Sequence, residues 1–205
     1  MLWDTEFSNN KWDYLDPDNS TARRKDIVYD YVEKYSANGA ILDLGCGTGK
    51  IGREINVNKY TKYVGVDIST AAIQRAKEKC AEEGQRISKN EFQESDILKF
   101  ASLHKYEVIL FQESLQYFNK HQIRKVLWKY AHYLSAQGVI IIRLCDRQKY
   151  AWIINFAKKE YQLVDAYWPA NNRTAIIVLK QLFASARAPQ LTATASFKQN
   201  HSADQ

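Results

Sequence analysis

A nine-residue stretch at 41–49, Ile-Leu-Asp-Leu-Gly-Cys-Gly-Thr-Gly, restricts the fold of this chain more than any other segment. Its apolar run stops at three alternating glycines, Gly45, Gly47 and Gly49, and a helical pattern begins directly after the last of them. Glycine adopts positive φ without steric cost and leaves no side chain in the way of a ligand. A buried strand, a glycine turn and a helix start, in this order, predict a cradle for a cofactor that carries a nucleoside.

Strand and helix patterns alternate along most of the chain. Apolar runs typical of strands lie at 40–44, 63–67, 91–95, 106–111, 139–142, 161–168 and 174–180, and helical patterns lie at 20–39, 50–56, 69–84, 119–134 and 149–159. This alternation predicts an α/β fold, with a doubly wound, mostly parallel sheet and helices on both faces. The short polar turn between the last two strands predicts an antiparallel hairpin.

The chain divides into three predicted regions. Residues 1–19 hold four aromatic side chains among polar neighbours without a clear period, which indicates an arm that either closes over a ligand or packs across the first helix. Residues 20–180 form the single predicted domain. Residues 181–205 shift to Ala, Ser, Thr and Gln and lose periodicity, so we expect this tail to be disordered.

Composition excludes several classes of protein. Hydrophobic residues make up 45% of the chain, which is normal for a globular domain, and no apolar run approaches the roughly 20 residues that span a bilayer. The three widely spaced cysteines favour neither a disulfide framework nor a zinc site, so we expect a cytoplasmic protein without a metal. The net charge of +6 is spread over polar helix faces, which favours simple solvation over an anionic partner.

Polar side chains follow four consecutive predicted strands. Asp43, Asp67 and Asp96 end the first three strands, and Gln112 and Glu113 end the fourth. A single aspartate at a strand end is more often a turn former or a helix cap than a ligand. However, ligands of such sheets lie outside the carboxyl ends of the strands. Four polar ends in a row therefore predict one binding crevice.

Spacing suggests roles for two of these carboxylates. Asp67 lies 18 residues after Gly49, the spacing at which an acidic residue meets a ribose held over the first helix. Asp96, one strand further out, is placed to accept a hydrogen bond from an adenine amino group. The segment from Gly47 to Gly52 also fits the weaker dinucleotide fingerprint, which leaves a nicotinamide-dependent oxidoreductase open. No Tyr-x-x-x-Lys pair supports that alternative.

Taken together, these motifs resemble those of the class I S-adenosylmethionine-dependent methyltransferases. The resemblance covers about residues 20–180 and rests on Leu-Asp-Leu-Gly-Cys-Gly-Thr-Gly (42–49), Gly-Val-Asp-Ile-Ser (65–69), Ser-Asp-Ile (95–97) and Phe-Gln-Glu-Ser-Leu-Gln-Tyr-Phe (111–118). It implies a Rossmann-like seven-stranded sheet with an antiparallel last strand, and S-adenosylmethionine as the cofactor. A non-catalytic module that binds the same cofactor and regulates a partner remains an alternative.

The resemblance also implies roles for individual residues. Asp43 and the turn from Gly45 to Gly47 would hold the methionine end of the cofactor, Asp67 the ribose, and Asp96 the adenine. The full set of implied cofactor-binding residues is Asp43, Gly45, Cys46, Gly47, Asp67, Ile68, Asp96, Ile97 and Gln112.

The segment after the fourth strand indicates the class of methyl acceptor. The chain has only three prolines, so the Asp/Asn-Pro-Pro-aromatic motif of nucleic-acid amino methyltransferases is absent, and a nucleic-acid partner is not expected. The segment 112–118 resembles the branch that methylates nitrogen or oxygen of sugars, amines and short polar metabolites. Candidates for a base or a substrate orienter are Glu113, Tyr117 and His121, and candidates for a lid over the substrate are Trp12 and Tyr14.

Overall fold

Seven strands form one sheet in the computed structural model, which describes residues 2–9, 11–12, 26–82, 84, 86–169 and 173–182. The helices are α1 Leu2–Ser8, α2 Val28–Ser36, α3 Lys50–Glu54, α4 Thr70–Ala81, α5 Lys120–Ala131 and α6 Ala151–Glu160. The strands are β1 Ala40–Leu44, β2 Lys62–Asp67, β3 Asn90–Glu94, β4 Tyr106–Gln112, β5 Leu134–Leu144, β6 Gln162–Tyr167 and β7 Ala175–Lys180. Short 3₁₀ turns cover Val57–Lys59 and Leu115–Tyr117.

The strand order is β3-β2-β1-β4-β5-β7-β6. Strands β1 to β5 pair in parallel, whereas β7 runs antiparallel to both of its neighbours, β5 and β6. The predicted seven-stranded, mostly parallel sheet with an antiparallel last strand is therefore confirmed. Strand order reverses between β1 and β4, and the carboxyl ends of both strands border the same crevice.

Alternate side chains of the central strands supply two separate cores. Leu42 and Ile109 belong to the core that packs against α5 and α6. Ile41 and Val108 point to the opposite face and join the core that includes α2, α3 and α4. Successive strand residues face opposite sides of a sheet, so a strand buried on both faces is apolar throughout. This is why β1 and β4 read as continuous apolar runs.

Two segments differ from the sequence prediction. The helix predicted from Ser20 begins at Val28 within the described residues, because the Asp26 carboxylate accepts a hydrogen bond from the Val28 N–H (3.0 Å); Ser20 lies outside the described residues. The fifth strand was predicted at 139–142 but spans Leu134–Leu144. Helix α5 accordingly ends at Ala131 rather than at 134. The pairing shifts register beside Gly138, where a Cβ would lie 2.6 Å from the Tyr106 carbonyl oxygen.

Both chain termini were predicted from composition. Residues 2–8, for which we found no period, form helix α1, which buries none of its side chains. Without a buried stripe there is no amphipathic pattern to detect in the sequence. Only 181 and 182 of the tail lie within the described residues, so the prediction of disorder for the tail is not tested.

Candidate active site

A cavity of about 590 Å³ opens at the carboxyl ends of the central strands. Of the fourteen residues predicted for the site, the structure places twelve around this cavity: Trp12, Asp43, Gly45, Cys46, Gly47, Asp67, Ile68, Asp96, Ile97, Gln112, Glu113 and Tyr117. The other two are His121, which is exposed at the start of α5 and does not border the cavity, and Tyr14, which lies outside the described residues.

The glycine turn forms the floor of the cavity. Gly45 and Gly47 have φ of +84° and +54°, a region that other residues rarely adopt. A Cβ at Gly45 would lie 2.6 Å from the Ser114 Cβ, so only glycine permits this approach of the turn to the end of β4. At Gly47 a Cβ would contact only the Phe7 ring, at 3.6 Å. The backbone of Gly47 is therefore accessible from the cavity.

Asp67 connects the glycine turn to helix α4. One carboxylate oxygen accepts from the Gly47 N–H and the other from the Ser69 N–H, each at 2.9 Å. Burial raises the pKa of Asp67, and these backbone donors oppose that rise. Each carboxylate oxygen can accept a second hydrogen bond, so Asp67 retains the capacity to bind a ligand hydroxyl.

Asp43 is the most deeply buried carboxyl group of the site, with 1% of its surface exposed. Its Oδ2 accepts from the Tyr63 hydroxyl at 2.6 Å, whereas Oδ1 has no hydrogen-bond partner among the described residues. Burial raises the pKa of Asp43 to about 7; the Tyr63 hydroxyl opposes this rise and the Asp67 charge adds to it. A buried acceptor without a donor marks a place where a ligand donor belongs.

We expect Tyr63→Phe to weaken binding of S-adenosylhomocysteine about five- to fiftyfold at pH 7, with a smaller effect at pH 9. Removing the hydroxyl deletes a hydrogen bond to the ionised carboxylate, worth about 1.5–3 kcal/mol, and so raises the pKa of Asp43 further. Calorimetric titrations from pH 6 to 9 measure the effect. Tyr60→Phe is the matched control, since it removes a buried hydroxyl that bonds Asn90 instead. Identical pH profiles for the Tyr63 variant and the wild type would contradict the expectation.

The loop after β3 supplies a second wall. The Asp96 carboxylate accepts from the Leu98 N–H at 2.8 Å, which orders the turn. The carbonyl oxygen of Ile97 accepts from the Tyr130 hydroxyl of α5 at 2.7 Å. These bonds hold Asp96 and Ile97 beside the cavity on a rigid support.

A charged cluster stands at the ends of β4 and β5. The guanidinium of Arg143 pairs through Nη1 with the Glu113 carboxylate and through Nη2 with the Asp26 carboxylate, the latter at 2.6 Å. Arg143 has 15% of its side chain exposed. Glu113 also has a φ of +55°, although it is not a glycine, and its N–H donates to the Arg143 carbonyl oxygen at 2.9 Å. Such backbone strain is commonly found at functional sites.

Helix α1 lies against the first turn of α4. The Asp4 carboxylate accepts from the Ser69 hydroxyl at 2.9 Å and from the Ala71 N–H at 3.0 Å. These bonds, the Ala71 N–H first, lower the pKa of Asp4. A negative charge at a helix N-terminus is favourable, which explains how a helix with no buried side chain is held in place.

Aromatic side chains from the N-terminal arm and from the turn after β4 close one side of the cavity. The Trp3 ring lies 4.7 Å from the Tyr117 ring in an edge-to-face arrangement and 5.8 Å from the Trp12 ring. Phe7 lies 6.4 Å from Trp12, whose indole N–H donates to Glu6 at 3.2 Å. Tyr117 remains 57% exposed, so it is a wall residue rather than a core aromatic.

Several cavity residues were missed by the sequence analysis. Arg143 ends a buried apolar strand, the same signal that identified Asp43 and Asp67, and the same rule applied to β5 would have found it. Asp26 had no such signal, because only its pairing with Arg143 across the fold brings it to the site.

The thiol of Cys46 has a pKa raised well above its usual value by burial and by the nearby carboxylates, so it stays neutral.

Comparison with known proteins identifies the class. The sequence pattern of a methyltransferase domain family matches residues 35–192 of this chain. The chain therefore belongs to the methyltransferase domain family. Its cofactor is S-adenosylmethionine, which decides against the nicotinamide alternative. A search of curated protein sequences finds no match.

Solved structures share the fold. The N-methyltransferase NodS from Bradyrhizobium japonicum, in complex with S-adenosyl-L-homocysteine, has 18% identity and a TM-score of 0.66, covering 86% of this chain and 95% of its own. Magnesium protoporphyrin IX methyltransferase from Synechocystis, with bound cofactor, has 15% identity and a TM-score of 0.67, covering 88% and 96%. A TehB-like methyltransferase from Corynebacterium glutamicum has 15% identity and a TM-score of 0.68, covering 89% and 100%. These likenesses establish the Rossmann-like methyltransferase fold.

The residues around the cavity fit this cofactor. Asp43 Oδ1, Gln112 Oε1 and Ser114 Oγ are buried polar atoms without hydrogen-bond partners among the described residues, and all three residues border the cavity. The cofactor carries ammonium, hydroxyl and amino donors, which suit such acceptors.

None of the helices within the described ranges is long and apolar enough to cross a membrane.

Proposed function

We propose that this enzyme transfers a methyl group to nitrogen or oxygen of a small polar molecule, such as a sugar, an amine or a similar metabolite. The observation that supports this best is that the predicted cofactor-binding residues and the Glu113–Arg143–Asp26 cluster border the same cavity. A volume of about 590 Å³ lies within the roughly 300–1,000 Å³ of small-molecule sites. The acceptor, or its reacting end, must fit there beside the cofactor.

The cofactor contacts are part of this proposal. Asp67 accepts the ribose hydroxyls, while Asp96, with the Ile97 backbone and the neighbouring Ile68, holds the adenine. Asp43 and the turn of Gly45, Cys46 and Gly47 hold the methionine end. Gln112 lies at the end of β4, between this turn and Arg143, and borders the position of the sulfonium. The buried free oxygens of Asp43 and Gln112 support these two assignments.

The protein supplies alignment rather than covalent catalysis. When bound, S-adenosylmethionine supplies a methyl group whose bond to sulfur breaks, leaving the electron pair on sulfur, as a nitrogen or oxygen lone pair forms the new bond. Glu113 and Tyr117 orient the acceptor and take up its proton or donate a hydrogen bond to it. The aromatic wall excludes water, which favours a direct in-line transfer. His121 does not border the cavity and has no role in this proposal.

The arm at 1–19 acts as a lid in this proposal. Its described part, helix α1 with Trp12, supplies three of the rings that border the cavity. The two hydrogen bonds of Asp4 and the edge-to-face contact between Trp3 and Tyr117 hold it to the domain. Helix α1 buries none of its side chains, so it can open at a low free-energy cost, as a lid must. Tyr14 remains a proposed lid residue outside the described part of the chain.

The named acceptors of the structural neighbours support a small molecule without deciding the atom. One neighbour is an N-methyltransferase, one a magnesium protoporphyrin IX methyltransferase and one a mitomycin 7-O-methyltransferase. The cytoplasmic location expected from the cysteine content is a further part of the proposal.

Isotope transfer tests the proposal directly. The protein is incubated with methyl-labelled S-adenosylmethionine and a protein-free metabolite extract, and labelled products are separated by mass. We expect low-mass products, and at least a tenfold lower rate for Glu113→Ala and for Tyr117→Phe. Full activity in both variants would reject the acceptor-side assignment. Labelling of added nucleic acid alone would reject the small-molecule acceptor, and tight cofactor binding without any transfer would favour a regulatory module.

A further inference from the structure

The cavity is acidic, although the chain as a whole is basic. Its lining contains six carboxyl groups and two cationic side chains, whereas the whole chain carries a net charge of +6. The six carboxyl groups belong to Asp26, Asp43, Glu54, Asp67, Asp96 and Glu113, and the two cations belong to Lys50 and Arg143. Lys50 pairs with Glu54 at 3.3 Å. A cleft lined by one sign of charge concentrates ligands of the opposite sign.

The guanidinium of Arg143 already forms ion pairs with carboxylates of the cluster. Nη1 and Nη2 of Arg143 each pair with a carboxylate. The two carboxylates more than balance the guanidinium charge, so an acceptor with a carboxylate or phosphate would meet an excess of negative charge there. The cluster of two carboxylates and one guanidinium keeps one formal negative charge, which one ligand cation would neutralise.

Two further features of the same wall suit a cation that also donates hydrogen bonds. The rings of Trp3, Trp12 and Tyr117 border the cavity, and aromatic faces attract cations within about 6 Å. Ser114, next to Glu113, is 7% exposed, borders the cavity and has a hydroxyl oxygen without a partner in the described structure. An ammonium group has three N–H donors for such acceptors.

We propose that the methyl acceptor is an amine, bound as a cation between the Asp26–Arg143–Glu113 cluster and the aromatic wall of the cavity. This inference rests on the proposed function and narrows it to N-methylation. The bound ammonium first gives one proton to the Glu113 carboxylate, which frees the nitrogen lone pair. That lone pair forms the bond to the methyl carbon as the carbon–sulfur bond breaks, and the electron pair stays on sulfur. Glu113 then releases its proton to solvent.

Matched ligands test the charge preference. The probes are three sets that share a scaffold: glucosamine, glucose and glucuronate; ethanolamine, ethylene glycol and glycolate; and tyramine, tyrosol and 4-hydroxyphenylacetate. Binding to the protein saturated with S-adenosylhomocysteine is followed by quenching of tryptophan fluorescence and by calorimetry. We expect the amine of at least one set to bind ten times more tightly than its hydroxyl partner, with no binding of the carboxylates.

Other results would overturn the amine proposal. Preference for a hydroxyl or a carboxylate member would do so, as would the absence of amine binding in all three sets at 10 mM. Transfer of the labelled methyl group from S-adenosylmethionine only to oxygen atoms of molecules in the metabolite extract would reject the amine and leave the proposed function intact. Failure of transfer to any small molecule would reject both.

A variant that removes the charge of Glu113 tests whether the Asp26–Arg143–Glu113 cluster causes the preference for amines. Glu113→Gln keeps the size and hydrogen-bonding capacity of the side chain but removes one negative charge. We expect amine affinity to fall at least tenfold, while the affinities for the hydroxyl partner and for S-adenosylhomocysteine change less than twofold. Glu82→Gln, an exposed position outside the cavity, is the matched control. Retained amine preference in a folded Glu113→Gln protein would reject the cluster as the recognition site.

Discussion

Asp43→Asn is expected to weaken S-adenosylhomocysteine binding about thirty- to hundredfold at pH 8 and to raise the melting temperature of the ligand-free protein at the same pH. The carboxylate is buried, with one oxygen bound to Tyr63 and the other without a partner among the described residues. The neutral amide can still accept from Tyr63, so it fills the same space without a buried charge. It loses the charge-assisted bond to the cofactor, worth about 1.5–3 kcal/mol.

The gain in stability follows from the pKa of Asp43. Its pKa in the folded protein, about 7, lies above its ordinary value of 3.8 in the unfolded chain. The stability that the protonated carboxyl contributes is therefore complete below pH 4 and is lost as the pH rises through 7. By linkage this loss amounts to about 4 kcal/mol at most. Asparagine does not titrate, so the variant should melt at least about 5 °C higher at pH 8, by a smaller margin at pH 5 and close to the wild type only near pH 4.

Calorimetric melting curves from pH 5 to 8, with Asp30→Asn as an exposed control, check this expectation. Parallel dependences of melting temperature on pH in the Asp43 variant and the wild type would show that the carboxyl does not titrate in this range. Unchanged affinity for S-adenosylhomocysteine would place Asp43 outside the binding site.

Asp67→Ala is expected to weaken cofactor binding by about ten- to a hundredfold and to lower the free energy of unfolding by about 2–3 kcal/mol. The stability loss arises because the Gly47 and Ser69 N–H groups, each held by this carboxylate, lose their acceptor. The affinity loss arises because the proposed ribose contact disappears and the glycine turn is less ordered. Urea unfolding and calorimetric titration with S-adenosylhomocysteine measure the two effects.

An analogue of S-adenosylhomocysteine without the 2′- and 3′-hydroxyls separates the two causes of the affinity loss. If Asp67 binds the ribose, removing these hydroxyls weakens binding to the wild type but has little further effect in the variant. Additive losses would mean that Asp67 acts only by ordering the turn and the start of α4. Unchanged affinity for the full ligand would reject any cofactor role.

The cofactor side of the site was predictable because it depends on local patterns and one topological rule. The apolar run of β1, the glycines after it and the acidic residues at Asp67 and Asp96 are each visible in a short segment. In a parallel sheet the carboxyl ends of neighbouring strands lie along one edge. Residues separated by tens of positions could therefore be assigned to one crevice, and all nine predicted cofactor-binding residues border the cavity.

The acceptor side was less predictable. His121 and Arg124, three positions apart, are both exposed on α5. His121 therefore does not border the cavity, although its position in the sequence after β4 suggested that it would. Glu113 was predicted near the reaction centre, but its pairing with Arg143 and Asp26 depends on how β4, β5 and the start of α2 come together. No spacing rule relates these three residues, because helix and strand periods do not extend across loops.

The amino-acid sequence by itself determined the order of strands and helices, the glycine turn and the row of polar strand ends, because these follow from backbone conformation and from the periodic burial of apolar side chains. Only the tertiary structure decided which carboxyl groups are buried, charged or paired. Tyr63 reaches Asp43 because Gly52 has no side chain, and a Cβ there would lie 2.5 Å from the Tyr63 ring. Asp4 reaches Ser69 across 65 positions of sequence. Desolvation and hydrogen bonding depend on the distances between such elements, which long-range packing alone sets.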